Sequence, residues 1–174
     1  MEKAVRIELK LIERPSEEWK PRQSETDDLT VEQLIATICE EASDRGIFRF
    51  SVGGFGQEQW PVDVAFDLPC LLDGIPSALA TLRSETGTFR IDFYEQGVER
   101  VIEGICEGSQ TVLRCHSGTD WLPDPSQTTI GTDALALMLT EVQRTFASAT
   151  IGLNLPAFDR RLLVDWLNDY PTAA

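Results

Sequence analysis

Histidine is almost absent from this sequence, and basic residues are scarce. The 174 residues include one histidine and 15 lysines and arginines against 29 aspartates and glutamates, so the formal net charge is −14 at pH 7. Proteins bind nucleic acids through cationic contacts with phosphates, and basic segments mediate binding to anionic lipids. The charge therefore argues against nucleic-acid and membrane partners and favours a basic protein partner. The alternative is that the acidity only keeps a cytosolic protein soluble.

A long apolar segment is also missing. The longest uninterrupted apolar run, residues 134–139, is far too short to span a bilayer. Residues 4–12 alternate apolar and charged side chains, which indicates a strand and no secretory signal. The four cysteines show no paired spacing. We therefore expect a cytoplasmic protein with reduced, buried thiols.

The hydrophobic pattern predicts one α+β domain over residues 1–174. Period-2 alternation indicates strands at 4–12, at 48–52, at 62–66 and, as a three-stranded meander, at 88–116. Helical spacing follows a capping box at Thr30 and Gln33 and recurs at 71–82, 135–149 and 158–167. Because the strands cluster in sequence, we expect a mostly antiparallel sheet of about six strands with helices packed on one face.

The segments between these elements have distinct compositions. Residues 13–28 contain two prolines and six carboxylates, which predicts an exposed acidic loop. Residues 53–61 are glycine-rich and suit a long hairpin loop between strands 48–52 and 62–66. In the meander, a two-residue turn pairs Ile91 with Ile102 and Arg90 with Glu103, whereas a glycine bulge shifts the register by one residue.

No residue set predicts a catalytic, metal or cofactor site. His116 is followed by Ser117 and Asp120, but neighbours on a strand point to opposite faces and form no triad. In the predicted meander Cys106 and Cys115 lie roughly 13 Å apart along the sheet. Zinc needs its sulfur ligands much closer together.

Two further arrangements also lack the geometry for chemistry. Asp63 and Asp67 share a predicted strand face roughly 13 Å apart, too far for a pair of glycosidase carboxylates. The glycine-rich stretch Gly53–Gly56 has no lysine and leads to a predicted strand, so a phosphate-binding loop is not indicated.

Loop aromatics are the most informative residues of the sequence. Trp19, Trp60 and Trp121 fall in predicted loops, and Phe55 shares the glycine-rich loop with Trp60. Such side chains either fold back over a sheet edge or anchor a partner protein. We predict that Phe55, Trp60, Trp19 and Trp121 bind a partner.

These features predict a non-enzymatic interaction domain that binds a basic protein. An inhibitor or immunity-type antidote to a cationic effector would have this character. The alternative is a small-molecule-binding domain or an enzyme with a pocket between sheet and helices, for which the candidates are His116, Tyr94 and Asp92. A structural subunit of a larger assembly is a third possibility.

Overall fold

Six strands form two antiparallel sheets in the computed structural model, which describes residues 5–22 and 29–168. The first sheet contains β1 and β2, and the second has the strand order β3-β4-β5-β6. The elements in chain order are β1 (Arg6–Leu11), α1 (Val31–Asp44), β2 (Phe48–Gly53), α2 (Asp67–Arg83), β3 (Thr86–Phe93), β4 (Arg100–Glu107), β5 (Gln110–Ser117), β6 (Gln127–Gly131), α3 (Thr132–Thr150) and α4 (Ala157–Asn168).

The predicted α+β class is confirmed, with the six strands divided between two sheets. Helix α2 packs closely on β3, since a Cβ at Gly74 would lie 3.2 Å from the Ile91 side chain. Helix α3 packs on β1, where the Ile7 N–H lies 3.2 Å from the Met138 Sδ. Buried side chains from both sheets and all four helices form one hydrophobic core.

Helix α1 begins as the sequence predicts. The Thr30 hydroxyl accepts from the Gln33 N–H at 3.3 Å, and the Gln33 side chain accepts from the Thr30 N–H at 3.0 Å. This reciprocal capping box satisfies two donors that the first turn would leave free. After the helix, Gly46 adopts φ of 65°, a left-handed conformation in which glycine carries no steric penalty.

The predicted strand at 62–66 is wrong. The Asp63 carboxylate accepts from the Phe66 N–H at 2.7 Å, and the Asp67 carboxylate accepts from the Asp63 N–H at 2.8 Å. These bonds fold the segment into a turn that leads into α2, so the predicted hairpin is absent and β2 pairs with β1. Asp63 and Asp67 are therefore adjacent, not roughly 13 Å apart as on an extended strand.

The meander has the register expected from a two-residue turn. Ile91 pairs with Ile102, and Glu103 pairs with Arg90 on one side and Arg114 on the other. The connection itself is longer than two residues, because the ladder stops at Phe93 and resumes at Arg100. Strand β6, which pairs with β5 at the edge of the second sheet, is not among the strands that the sequence pattern predicts.

The predicted acidic loop is attached to α1 over its described part. The Trp19 indole N–H donates to Glu41 at 2.7 Å, and the Arg22 backbone N–H donates to the other oxygen of that carboxylate at 2.7 Å. Burial would raise the pKa of Glu41, but the hydrogen bonds from Trp19 and Arg22 together lower it. Residues 23–28 lie outside the described part of the chain.

No helix within the described ranges is long and apolar enough to cross a membrane.

Candidate functional site

The four aromatic residues predicted to bind a partner lie largely inside the protein. Trp19, Phe55 and Trp60 are each at most 2% exposed, and Trp121 is half-buried against the core. They fold back over the sheets, which was the alternative interpretation of loop aromatics. In this conformation, Trp19, Phe55 and Trp60 offer no surface to a partner.

Backbone conformation turns the glycine-rich loop inward. Gly54 and Gly56 have φ of 133° and 87°, values that L side chains rarely adopt, and Phe55 between them has φ of 55°. The Trp60 indole N–H donates to the Gly54 carbonyl at 3.2 Å, and the Trp60 ring packs edge-on against Phe93 with 5.8 Å between ring centroids. The loop therefore covers one end of the second sheet.

The candidates for an enzyme do not form a common site. Asp92 and His116 flank Val101 across the outer sheet face, as the predicted register requires. His116 lies 3.2 Å from Glu103, whereas Asp92 pairs with Arg90 at 2.9 Å. Both groups belong to an exposed charge ladder. No cluster of three or more histidine, cysteine or acidic side chains suited to a metal occurs among the described residues.

A cleft of about 410 Å³ opens where α1, α2 and α4 meet the loop between β3 and β4. Its walls are mainly apolar and include Ile35, Pro76 and Trp166. Among the described residues, its charged groups are all carboxylates, one from each helix. We call it the acidic cleft, and its polar residues are Glu32, Asp73, Asp165 and Tyr94.

Two of these carboxylates have no basic partner among residues 5–22 and 29–168. Asp165 lies 3.6 Å from Arg161 on the same helix, but Glu32 and Asp73 form no ion pair within those ranges. Burial, and to a smaller extent the charge of Glu32, raises the pKa of Asp73. A positive charge in the acidic cleft would relieve this repulsion.

Tyr94 stands at the rim of the acidic cleft with 67% of its surface exposed. Contact with the Cys70 thiol raises the pKa of Tyr94 to about 12, so the phenol stays protonated near neutral pH. Phe66 is 55% exposed, and its carbonyl accepts from the Cys70 thiol at 3.1 Å. The exposed Tyr94 ring therefore adjoins the carboxylates.

Next to Phe66, Asp67 is a buried carboxyl group. It is 2% exposed, and its Oδ1 has no hydrogen-bond partner among the described residues. Burial raises the pKa of Asp67 to about 6, with smaller contributions from the charges of Asp63 and Glu95. Burial is therefore the main reason that the pKa of Asp67 is raised, and neighbouring negative charges add to it.

Sequence reasoning does not identify the acidic cleft. The pattern places Trp166 in a helix core and Tyr94 among the enzyme candidates, and it gives Glu32 and Asp73 no role. The available signal is an acidic residue at the edge of each apolar helix stripe, as with Glu32 beside Ile35. That pattern is common on ordinary surface helices.

Comparison of the chain with protein-family models, with curated proteins and with solved structures gives no match.

Proposed function

We propose that this protein is a non-enzymatic acidic domain that binds a basic protein partner, with the acidic cleft as the docking site. An inhibitor or immunity-type antidote that neutralises a cationic effector would act in this way. The cytoplasmic location expected from the sequence is part of the same proposal.

The observation that carries the proposal is the pair of unneutralised carboxylates in an apolar cleft. Burial and the charge of Glu32 raise the pKa of Asp73, and no basic residue of the described ranges lines the cleft to offset this effect. A lysine or arginine side chain from a partner would restore ionic balance there. Its aliphatic stem would pack along walls such as Ile35 and Pro76.

The remaining charge supports binding at a distance. A net charge of −14 attracts a cationic protein and raises its association rate, and salt weakens that attraction. Tyr94, an exposed aromatic residue that lines the cleft, supplies the apolar contact area that interfaces favour. We therefore assign the long-range attraction of the partner to the net negative charge, and the direct contact with it to the aromatic surface of Tyr94 beside the cleft.

A charge-matched pair of variants tests the docking site. The probe is a short amphipathic peptide of leucine and lysine, with a leucine–glutamate peptide as the negative probe, titrated by calorimetry. Glu32→Gln with Asp73→Asn should weaken lysine-peptide binding by about tenfold, because two partly desolvated ion pairs together contribute about 1.4 kcal/mol.

The control removes the same two charges elsewhere. Glu107 and Glu141 are exposed and lie outside the acidic cleft, so Glu107→Gln with Glu141→Gln should weaken binding less than about threefold. Equal losses for the two double variants would refute the cleft as the site. Absence of binding to the lysine peptide, or equal binding of the glutamate peptide, would refute the proposed function.

A second candidate function is the binding of a small cationic molecule in the same cleft. The observation that favours it is the volume of about 410 Å³, within the usual range for ligand pockets. A diamine such as putrescine then raises the melting temperature of the wild type and not that of the cleft double variant. A shift of equal size in both proteins would reject this candidate.

A further inference from the structure

Arg100 occupies a core-facing position at the end of the second sheet. It is the first residue of β4, opposite Phe93 of β3 and Ser117 of β5. Its side chain belongs to the buried row that continues with Ile102 and Cys106, and it is 2% exposed. Apolar residues normally fill such a row, so the guanidinium requires a specific explanation.

Two indole rings pack against this guanidinium from adjacent sides, since the Trp60 and Trp121 centroids lie 6.0 Å apart with 60° between the ring planes. Its central carbon lies 4.6 Å from the centroid of Trp60 and 3.7 Å from that of Trp121. Contacts of this kind stabilise a cation through the ring quadrupole. The indole rings supply no oxygen acceptor for the N–H edges of the guanidinium.

Those edges have no partner among the described residues. The Nε and Nη1 atoms are buried without a hydrogen bond, and Arg100 forms no ion pair with any residue in the described ranges. The ionisable group that acts on it is the Cys115 thiol. Burial raises the pKa of Cys115 to about 11, so near neutral pH this group is uncharged and does not balance the arginine.

A buried cation without a counter-charge is costly, and arginine stays protonated even when burial lowers its pKa. The chain has 29 acidic residues, yet none within the described ranges is placed against Arg100. A guanidinium whose N–H groups lack partners can bind a planar oxyanion through two parallel hydrogen bonds.

We propose that the edge of the Arg100 guanidinium, between Trp60 and Trp121, is a binding site for an oxyanion carried by a ligand, either a carboxylate or a phosphate group. None of these residues lines the acidic cleft, so this site is independent of the proposed docking of a basic partner.

The two tryptophans have different roles in access to the site. Trp60 is 1% exposed and is fixed by its bond to Gly54 and its contact with Phe93. Trp121 is half-buried in the connection between β5 and β6, beside Leu122, which is 79% exposed. That connection is tied to the glycine-rich loop through the Asp124 N–H, which donates to the Phe55 carbonyl at 3.0 Å. Trp121, the more exposed of the two rings, is therefore the one that would have to move for a ligand to reach the buried Nε and Nη1 atoms of Arg100.

The test is a titration of the wild type with sodium acetate and with sodium phosphate at constant ionic strength, balanced with sodium chloride. Indole fluorescence and melting temperature are both recorded. Constant ionic strength is essential because salt alone stabilises a protein of charge −14. We expect a saturable response to at least one of the two anions, and the one that saturates identifies the ligand class.

Variants assign the response to Arg100. Arg100→Met should abolish it, and in chloride this variant should melt no lower than the wild type, since it replaces an unpaired buried charge by an apolar chain. Arg49→Met, at an exposed arginine of β2, should leave the response unchanged. Arg100→Lys keeps the charge without the planar fork, and we expect it to weaken binding at least about threefold.

The wild-type titration alone can overturn the proposal. No saturable response to either anion would show that Arg100 only holds the two indole rings together. A response of wild-type strength in both Arg100→Met and Arg100→Lys would place the anion elsewhere. If Arg100→Met does not fold, Arg100→Lys with the Arg49→Met control decides between the two interpretations.

Discussion

The structure determines the direction in which the stability contribution of Asp67 changes with pH. Its carboxyl is 2% exposed, its Oδ1 has no partner within the described ranges, and burial raises its pKa from 3.8 to about 6. The folded protein therefore holds a proton on this group at pH values where the unfolded chain has released it. Stability from this residue is greatest below about pH 4, declines as the pH rises towards 6, and is constant above that.

The substitution Asp67→Asn removes this pH dependence. Each tenfold change in an ionisation constant corresponds to about 1.4 kcal/mol, so a rise in pKa from about 4 to about 6 sets an upper limit of about 3 kcal/mol. The amide oxygen can still accept from the Asp63 N–H, as the carboxylate does at 2.8 Å. We expect the Asp67→Asn variant to match the wild type roughly in stability at pH 4 and to exceed it by about 1–3 kcal/mol at pH 7.

Urea unfolding of the wild type and the variant between pH 4 and pH 8 measures this difference. Other carboxyl groups titrate in both proteins, so the informative quantity is the variant-minus-wild-type free energy of unfolding at each pH. Asp120→Asn, at an exposed loop residue, serves as the control and should show a flat difference. A flat difference for Asp67→Asn, or one that becomes more destabilising as the pH rises, would show that ionised Asp67 is stabilised and the reasoning is incorrect.

Two further predictions concern packing and the loop attachment. Gly104→Ala should destabilise the protein by about 1–3 kcal/mol in urea unfolding, because the new Cβ would overlap the buried Phe89 ring. Gly152→Ala is the control, since its Cβ would meet no described atom within 4 Å, and it should change stability by less than about 0.5 kcal/mol. Glu41→Gln should cost about 1–3 kcal/mol at pH 7 and expose Trp19 to acrylamide quenching, while Glu40→Gln should do neither. Because the folded pKa of Glu41 is lowered, the cost should decline as the pH falls through that value, and a cost that does not decline on acidification would contradict the hydrogen bonds from Trp19 and Arg22.

The second sheet was predictable because two independent patterns agree on its register. The apolar alternation and the charge ladder of Arg90, Glu103 and Arg114 select the same pairing. The capping box at Thr30 was predictable for a similar reason, since two residues at a fixed spacing form both hydrogen bonds. Features that depend only on local periodicity and local side-chain chemistry can therefore be predicted from the sequence.

Errors arose where a side chain competes with the backbone pattern. Val62, Val64 and Phe66 alternate as a strand would, but the Asp63 carboxylate captures the Phe66 N–H and starts a helical turn. Strand β6 contains only three residues with β-branched side chains, 128–130, and it follows directly on a proline-rich loop. The apolar pattern there is too short to indicate a strand. The first error comes from side-chain hydrogen bonds that outweigh strand propensity, and the second comes from a strand too short to show a pattern.

The acidic cleft could not be predicted because it depends on how helices meet. Glu32, Asp73 and Asp165 are separated by more than forty residues along the chain at each step, and each looks like an ordinary surface carboxylate on its own helix. Their approach follows from the packing of α1 against α2 and α4. Hydrophobic periodicity identifies the buried face of a helix but not the neighbour that covers its edge.

Two arginines pack against buried tryptophans, and this placement reduces the number of basic side chains available to the acidic surface. Arg45 lies over the Trp19 ring at 5.2 Å, and Arg100 lies between Trp60 and Trp121. The aromatic residues that the sequence suggested as anchors for a foreign cation therefore hold cations of the chain itself. With only 15 basic residues in total, each one engaged in this way is unavailable to offset carboxylates at the surface. The acidic cleft keeps its unpaired charge for the same reason, because the basic groups of the described ranges that could have neutralised Glu32 and Asp73 are placed elsewhere.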